Sequence, residues 1–242
     1  MPRTTRPSVM PYRSWVKATQ EAYAPLGNEV HAQGAAKYMK NIAPFIGIGT
    51  VPRRAALKAA WKPLPALDEA NLARFCLEMW KLPEREYQYA ACDLLAWNKT
   101  PRSADFLVHP LEALIITKPW WDTIDALNAN AVNPLIRKHP QLVNTMWEWI
   151  GSDNIWLVRV AIQHQRGNRD TTDLDLLFAM CAPHISEKNF WIAKAIGWAL
   201  RDASAYWPNE VQTFITEHPD ISSVARREGQ RGVDRALIKK LL

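Results

Sequence analysis

The chain has 242 residues, 48% of them hydrophobic, enough to bury a substantial core, so a largely disordered protein is excluded. Thirty Lys and Arg against 24 Asp and Glu give a formal charge of +6, which favours polyanionic partners. No run of eighteen apolar residues occurs and none follows the basic start MPRTTRPSVMPYR, so neither a membrane span nor a secretion signal is expected.

Residues 1–10 are expected to form a flexible tail, and 11–242 a single domain. Up to about residue 70 the pattern is irregular, with Pro52 at a helix start, and an atypical capping layer is expected there. Pro83 marks another first turn. After it, EYQYAACDLLAW (86–97), DFLVHPLEALIIT (105–117), NIWLVRVAIQHQ (154–165) and KNFWIAKAIGWALRDAS (188–204) carry apolar residues at three and four spacing. Breaks are predicted at Asn98–Pro101, Gly151–Asp153, Gly167–Asn168 and Ser186. No stretch alternates as a strand would, so the chain reads as all-α.

Cys76, Cys92 and Cys181 stand singly in apolar surroundings, as reduced thiols in the helical cores of a cytoplasmic protein. Neither HExxH nor a paired His or Cys spacing occurs, so no metal and no nucleotide cofactor are expected. The twelve tryptophans are unusual for this length. Core filling accounts for most of them, and Trp156 and Trp191 are assigned to it.

Trp121, Trp156 and Trp191 are each 35 residues apart, and one more step back lands on Glu86. Helical pairs with this period stack into a curved solenoid of HEAT-like antiparallel repeats, lined on its concave face by one helix of each pair. In this register the fourth residue after the marker runs Ala90, Asp125, Val160, Ala195. Three repeats place an apolar residue there and one places an acid.

The acid lies in KPWWDTIDAL (118–127), where a helix over 120–131 puts Trp121 and Asp125 on one face, with Asp122 three residues before Asp125. An ionised acid against a dry core costs several kcal/mol unless it is paired or partly solvated. Two readings follow: a site carboxylate, flanked by Asp122, or a salt bridge to Arg159 or Lys194 of a neighbouring repeat.

Taken together, KPWWDTID, SDNIWLVRVA (152–161) and KAIGWALR (194–201) resemble the bacterial DNA alkylation repair glycosylases built from HEAT-like repeats. The resemblance extends through NEVHAQGAAKYMKNIAPFIGIGTVPRR (28–54) and MWKLPEREYQYAACD (79–93). It implies Asp125 as the catalytic acid, Trp121 and Trp198 as aromatic walls, Arg159 near the DNA backbone at the lesion, and Tyr38 in an N-terminal DNA-contact region. Pro119 stands where a small polar residue is usual. Lys37, Lys40, Arg53, Arg54, Lys194 and Arg201, with Arg226, Arg227 and Arg231, are candidates for phosphate contact.

The implied substrate is duplex DNA carrying purines alkylated at N3 or N7, acted on by a monomer. Such bases are cationic and leave without a general acid, so one carboxylate beside the developing oxocarbenium-like sugar suffices. Electron-rich indoles would favour the charged nucleotide, without the base being flipped into a pocket. Other readings are a non-catalytic helical-repeat protein that binds damaged or branched DNA, and a protein-binding adaptor.

Overall fold

The structure, a computed structural model, describes residues 10–241, so the expected tail lies outside the described residues apart from Met10. All the regular structure in them is helical. The chain gathers into two compact units, one through Thr123 and one from Ile124.

The first unit begins with α1 (Pro11–Tyr23), α2 (Glu29–Tyr38) and α3 (Thr50–Trp61), and α1 packs on α3. Trp15, Trp61 and Phe75 meet there with ring centroids 5.2–6.3 Å apart, so several indoles serve as core fillers. The repeats follow with α4 (Glu69–Lys81), α5 (Arg85–Trp97) and α6 (Glu112–Ile116). Pro52 falls in the first turn of α3, as predicted, whereas Pro83 stands two residues before α5. Glu86, the repeat marker of α5, is buried, and its carboxylate accepts the N–H groups of Ile46, Gly47 and Ile48 at 2.8–3.2 Å.

Helix α7 (Trp121–Leu127) begins two residues after Pro119 and runs through a wider π-type turn, Asn128–Val132, into α8 (Asn133–Lys138). Pro134 explains the wide turn: a proline has no N–H and its ring collides with the carbonyl four residues back, which a locally widened helix accommodates. A second π segment, Leu107–Leu111, contains Pro110 in the same way.

In the second unit come α9 (Val143–Ile150), α10 (Ile155–Gln163), α11 (Leu174–Cys181), α12 (Phe190–Ala203), α13 (Pro208–Glu217) and α14 (Ser223–Leu241). Asn154 and Asn189, 35 residues apart, cap α10 and α12 by accepting the N–H of Trp156 and of Trp191. Those two indoles lie 5.8 Å apart, with Trp156 buried. The repeat is thus visible in caps and rings alike, and the predicted breaks fall between helices.

Helices α12 and α14 approach unusually closely because glycine faces the contact. A Cβ on Gly197 would lie 2.7 Å from Glu228 Cβ and 3.1 Å from Ala225 Cα. Gly197→Ala should therefore push α14 away and lower stability by about 1–3 kcal/mol, measured by urea unfolding.

His164, at the end of α10, is buried, with Nδ1 2.6 Å from the carbonyl of Ala161 and Nε2 without a partner. Burial holds its pKa below the ordinary value, partly offset by the Ala161 bond. Protons therefore bind the unfolded chain more readily. His164 leaves stability intact above about pH 6.5 and erodes it as the pH falls from there through the lowered folded value. Thermal melts from pH 8 to 5 should show a loss on the acid side that His164→Asn reduces.

Candidate functional site

The repeats are joined by acid–base pairs between helices two or three apart in the chain. Arg53 and Arg54 of α3 hold Asp93 of α5, and Arg85 of α5 holds Asp122 of α7. In the second unit Arg159 of α10 holds Asp125 of α7, and Lys194 and Arg201 of α12 hold Glu228 of α14. The salt-bridge reading of Asp125 is thus observed. Exposure separates Asp125 from the rest: its side chain is 18% exposed, against 4% for Asp93, 8% for Asp122 and 3% for Glu228.

Asp125 sits one turn after Trp121 on α7, in the fourth repeat position, where Ala90, Val160 and Ala195 are fully buried. Arg159 grips it with both arms: Nε donates to Oδ1 and Nη2 to Oδ2, each at 2.9 Å, while Nη1 donates to the carbonyl of Trp191 at 2.7 Å. Arg159 is 1% exposed. A planar fork engaged by an acid and a carbonyl fixes the carboxylate in one orientation.

Arg166 is one of the residues that sequence reading missed. It follows α10, beyond the helical period that revealed its neighbours, yet Nη1 reaches within 3.9 Å of Asp125 Oδ2 and donates to Gln163 Oε1 at 3.1 Å. Asn128 and Asn133 donate to the carbonyls of Gln163 and His164 at 2.7 Å, which fixes this end of α10. Burial depresses the Arg166 pKa, opposed by the attraction of Asp125 and Asp202.

Trp198 of α12 is ringed by cations: Arg159, Arg166, Lys194 and Arg201 all lie 5.1–5.7 Å from its ring centroid. Four like charges thus already occupy the surroundings of this indole. Glu228 gathers Lys194 and Arg201 at 2.8 Å and Arg231 at 3.4 Å, and its carboxyl is held below the usual range mainly by the Lys194 hydrogen bond.

In the first unit, Tyr38 and Trp121, far apart in sequence, meet edge to face at 6.5 Å, with Tyr38 71% exposed. Lys40 is exposed in the turn after α2, with a φ of 61°. Asp122 is engaged by Arg85 and Tyr89. Arg53 is buried on Asp93, and Arg226 closes the end of α13 by donating to the carbonyls of Ile215, His218 and Pro219. Neither is placed for phosphate. Arg227 of α14 is exposed.

Residues 19–232 match the family model of the DNA alkylation repair enzyme. The chain belongs to the DNA alkylation repair enzyme family. A solved structure described as a "predicted DNA alkylation repair enzyme" from Enterococcus faecalis shares its fold and is similar to it at 31% identity, with a TM-score of 0.76 over 84% of this chain and 94% of that one. No curated protein matches the chain.

Family membership accords with the helical-repeat fold and makes this a DNA alkylation repair enzyme by kind. Among the described residues no cluster of three or more His, Cys, Asp or Glu is suited to a metal ion. No helix of the described residues is long and apolar enough to cross a membrane. The three cysteines are free and buried, and burial pushes the thiols of Cys76 and Cys181 up to about 12.

Proposed function

We propose that the protein is a monofunctional DNA glycosylase that hydrolyses the N-glycosidic bond of N3- and N7-alkylated purines in duplex DNA, as a cytoplasmic monomer. The observation that carries this reading is Asp125: a carboxylate in a position the repeat otherwise keeps apolar, more exposed than the other inter-helix acids and fixed by a buried arginine.

The alkylated base already bears the positive charge that an ordinary leaving group must acquire, so no acid is required. Charge then moves to the deoxyribose as the bond lengthens, and a fixed anion beside it lowers the barrier without reorganisation. Asp125 is the proposed anion and an acceptor that orients the attacking water. Arg159 is a positioning residue. Trp198, amid its cations, suits the sugar and its flanking phosphates better than the charged base. Trp121, one turn before Asp125, is the second aromatic residue of the proposal, and the base stays stacked. Tyr38, Lys40, Lys194, Arg201 and Arg227 are proposed contacts to the DNA backbone.

A second reading, a non-catalytic binder of damaged or branched DNA, is favoured by the Arg159 fork, which engages both oxygens of Asp125 and offsets their charge. Release of 7-methylguanine or 3-methyladenine from duplex DNA, compared between wild type and Asp125→Asn, separates the two. Release that Asp125→Asn abolishes supports the glycosylase. Duplex binding without release by wild type supports the binder.

A further inference from the structure

We infer that a pocket in the first unit, at the C-terminal ends of α3 and α5, binds a small planar organic anion of the aromatic carboxylate class. The pocket has a volume of about 450 Å³, within the range of about 300–1000 Å³ usual for small-ligand sites. Trp15, Trp61 and Trp97 line it together with Lys58, Lys62 and Lys99, and no carboxylate is among the lining residues. The inference rests neither on Asp125 nor on the DNA-repair reading.

Helical spacing builds the walls. Lys58 and Trp61 lie three residues apart in the last turn of α3, and Leu94 and Trp97 stand likewise in the last turn of α5. The Trp61 and Trp97 rings meet edge to face at 6.0 Å, and Trp61 lies 5.2 Å from Trp15. The two inner indoles are pinned by their N–H groups: Trp15 donates to the carbonyl of Pro65 and Trp61 to Thr19 Oγ1, both at 3.0 Å. Both are buried and Trp97 is half-buried, so the aromatic wall is in place before a ligand arrives. The turn after α5 is fixed as well, since Thr100 donates from N to Asn98 Oδ1 at 2.7 Å and from Oγ1 to the carbonyl of Leu67 at 2.6 Å.

Charge selects the ligand. Lys58 Nζ lies 5.1 Å from the Trp97 ring centroid, and Lys58, Lys62 and Lys99 are all exposed, none of them in an ion pair among the described residues. The two helix C-termini each carry roughly half a negative charge, so three lysines leave the pocket net positive. It therefore attracts an anion and repels a cation. A flat ring set among fixed indoles gains from offset or edge-to-face contact, which a saturated ring of the same size lacks. An ammonium meets a carboxylate as a point charge and imposes no fork geometry. A bounded, mainly apolar pocket with no guanidinium in its lining suits a free small acid rather than a phosphodiester chain.

The test follows the indole N–H signals of the full chain by two-dimensional NMR as 2-naphthoate, 2-naphthylmethylammonium or cyclohexanecarboxylate is added. With 2-naphthoate the signals of Trp15, Trp61 and Trp97 should move and that of Trp198 should stay. The ammonium and the saturated acid should each bind at least about tenfold more weakly, the first for its charge and the second for its missing ring. The double variant Lys58→Gln/Lys99→Gln, whose changes are at exposed positions and should leave the melting temperature unaltered, should weaken 2-naphthoate about tenfold. Lys188→Gln, which removes an exposed charge from the second unit, should have no effect. The inference is overturned by the absence of shifts up to about 10 mM 2-naphthoate, by equal binding of the ammonium, or by unchanged affinity in the double variant. Displacement of 2-naphthoate by one equivalent of undamaged duplex or of a single-stranded oligonucleotide also overturns it, and would make the pocket part of the DNA surface. None of these measurements reads base release, so a negative result leaves the glycosylase reading standing, and a wild type that releases no base leaves the pocket standing.

Discussion

Asp125→Asn should slow single-turnover release of 7-methylguanine about a hundred- to a thousandfold while duplex affinity stays within a few-fold. Unit charges about 4 Å apart attract by about 4 kcal/mol at an effective dielectric near 20, close to three decades of rate at about 1.4 kcal/mol per decade. Two features of the chemistry reduce this ceiling. The substrate is cationic before the bond breaks, and Arg159 offsets part of the carboxylate charge at 2.9 Å. The asparagine keeps an acceptor for Arg159 but leaves a guanidinium that is 1% exposed without its counter-charge, so stability should fall too, by about 1–3 kcal/mol. Single-turnover rates with saturating enzyme, alongside melts of the same variant, separate the two effects. A rate unchanged in a folded variant would end the catalytic role of Asp125.

Arg85→Met should be the most damaging single change to stability. Arg85 is fully buried, donates from Nη2 to Asp122 Oδ1 at 2.6 Å and to Thr123 Oγ1 at 2.7 Å, and from Nη1 to the carbonyl of Lys118 at 2.9 Å and to Gln88. Methionine fills similar space and leaves Asp122 charged with only the Tyr89 hydroxyl, which donates to it at 2.6 Å. Breaking a buried pair from one side costs about 3–5 kcal/mol. The double change Arg85→Met/Asp122→Leu should recover much of that loss, because no stranded charge remains. Urea unfolding of the two variants checks both statements.

Most of the fold was legible in the sequence. The 35-residue spacing of Trp121, Trp156 and Trp191 reports the repeat directly, and the structure adds the asparagine caps at the same spacing. Asp125 was legible as an acid in an apolar register. Its partner was one of two cations considered, and only coordinates decide between them, since Arg159 and Lys194 both come from following repeats. Arg166 and Glu228 were not legible as site residues. Arg166 lies past the end of α10, where helical period carries no information. Glu228 sits on α14, whose polar sequence looks like a solvated helix until glycines at 197 and 232 bring it against α12. The division after Thr123 had no local signal either, because it falls inside α7.

The wide turn at Asn128–Val132 has a geometric result for the acid ahead of it. An α-helix rotates about 100° per residue, so one residue more in a single turn resets the phase of everything that follows. Asn128 opens the wide turn and Asn133 follows it, and both donate to carbonyls at the end of α10, so the extra residue lies between two anchors. The proline-induced misfit therefore acts as a spacer: a straight helix through this stretch would turn Asn133 by about 100° relative to Asn128, the two amides could no longer reach α10 together, and the carboxylate three residues before Asn128 would lose that footing.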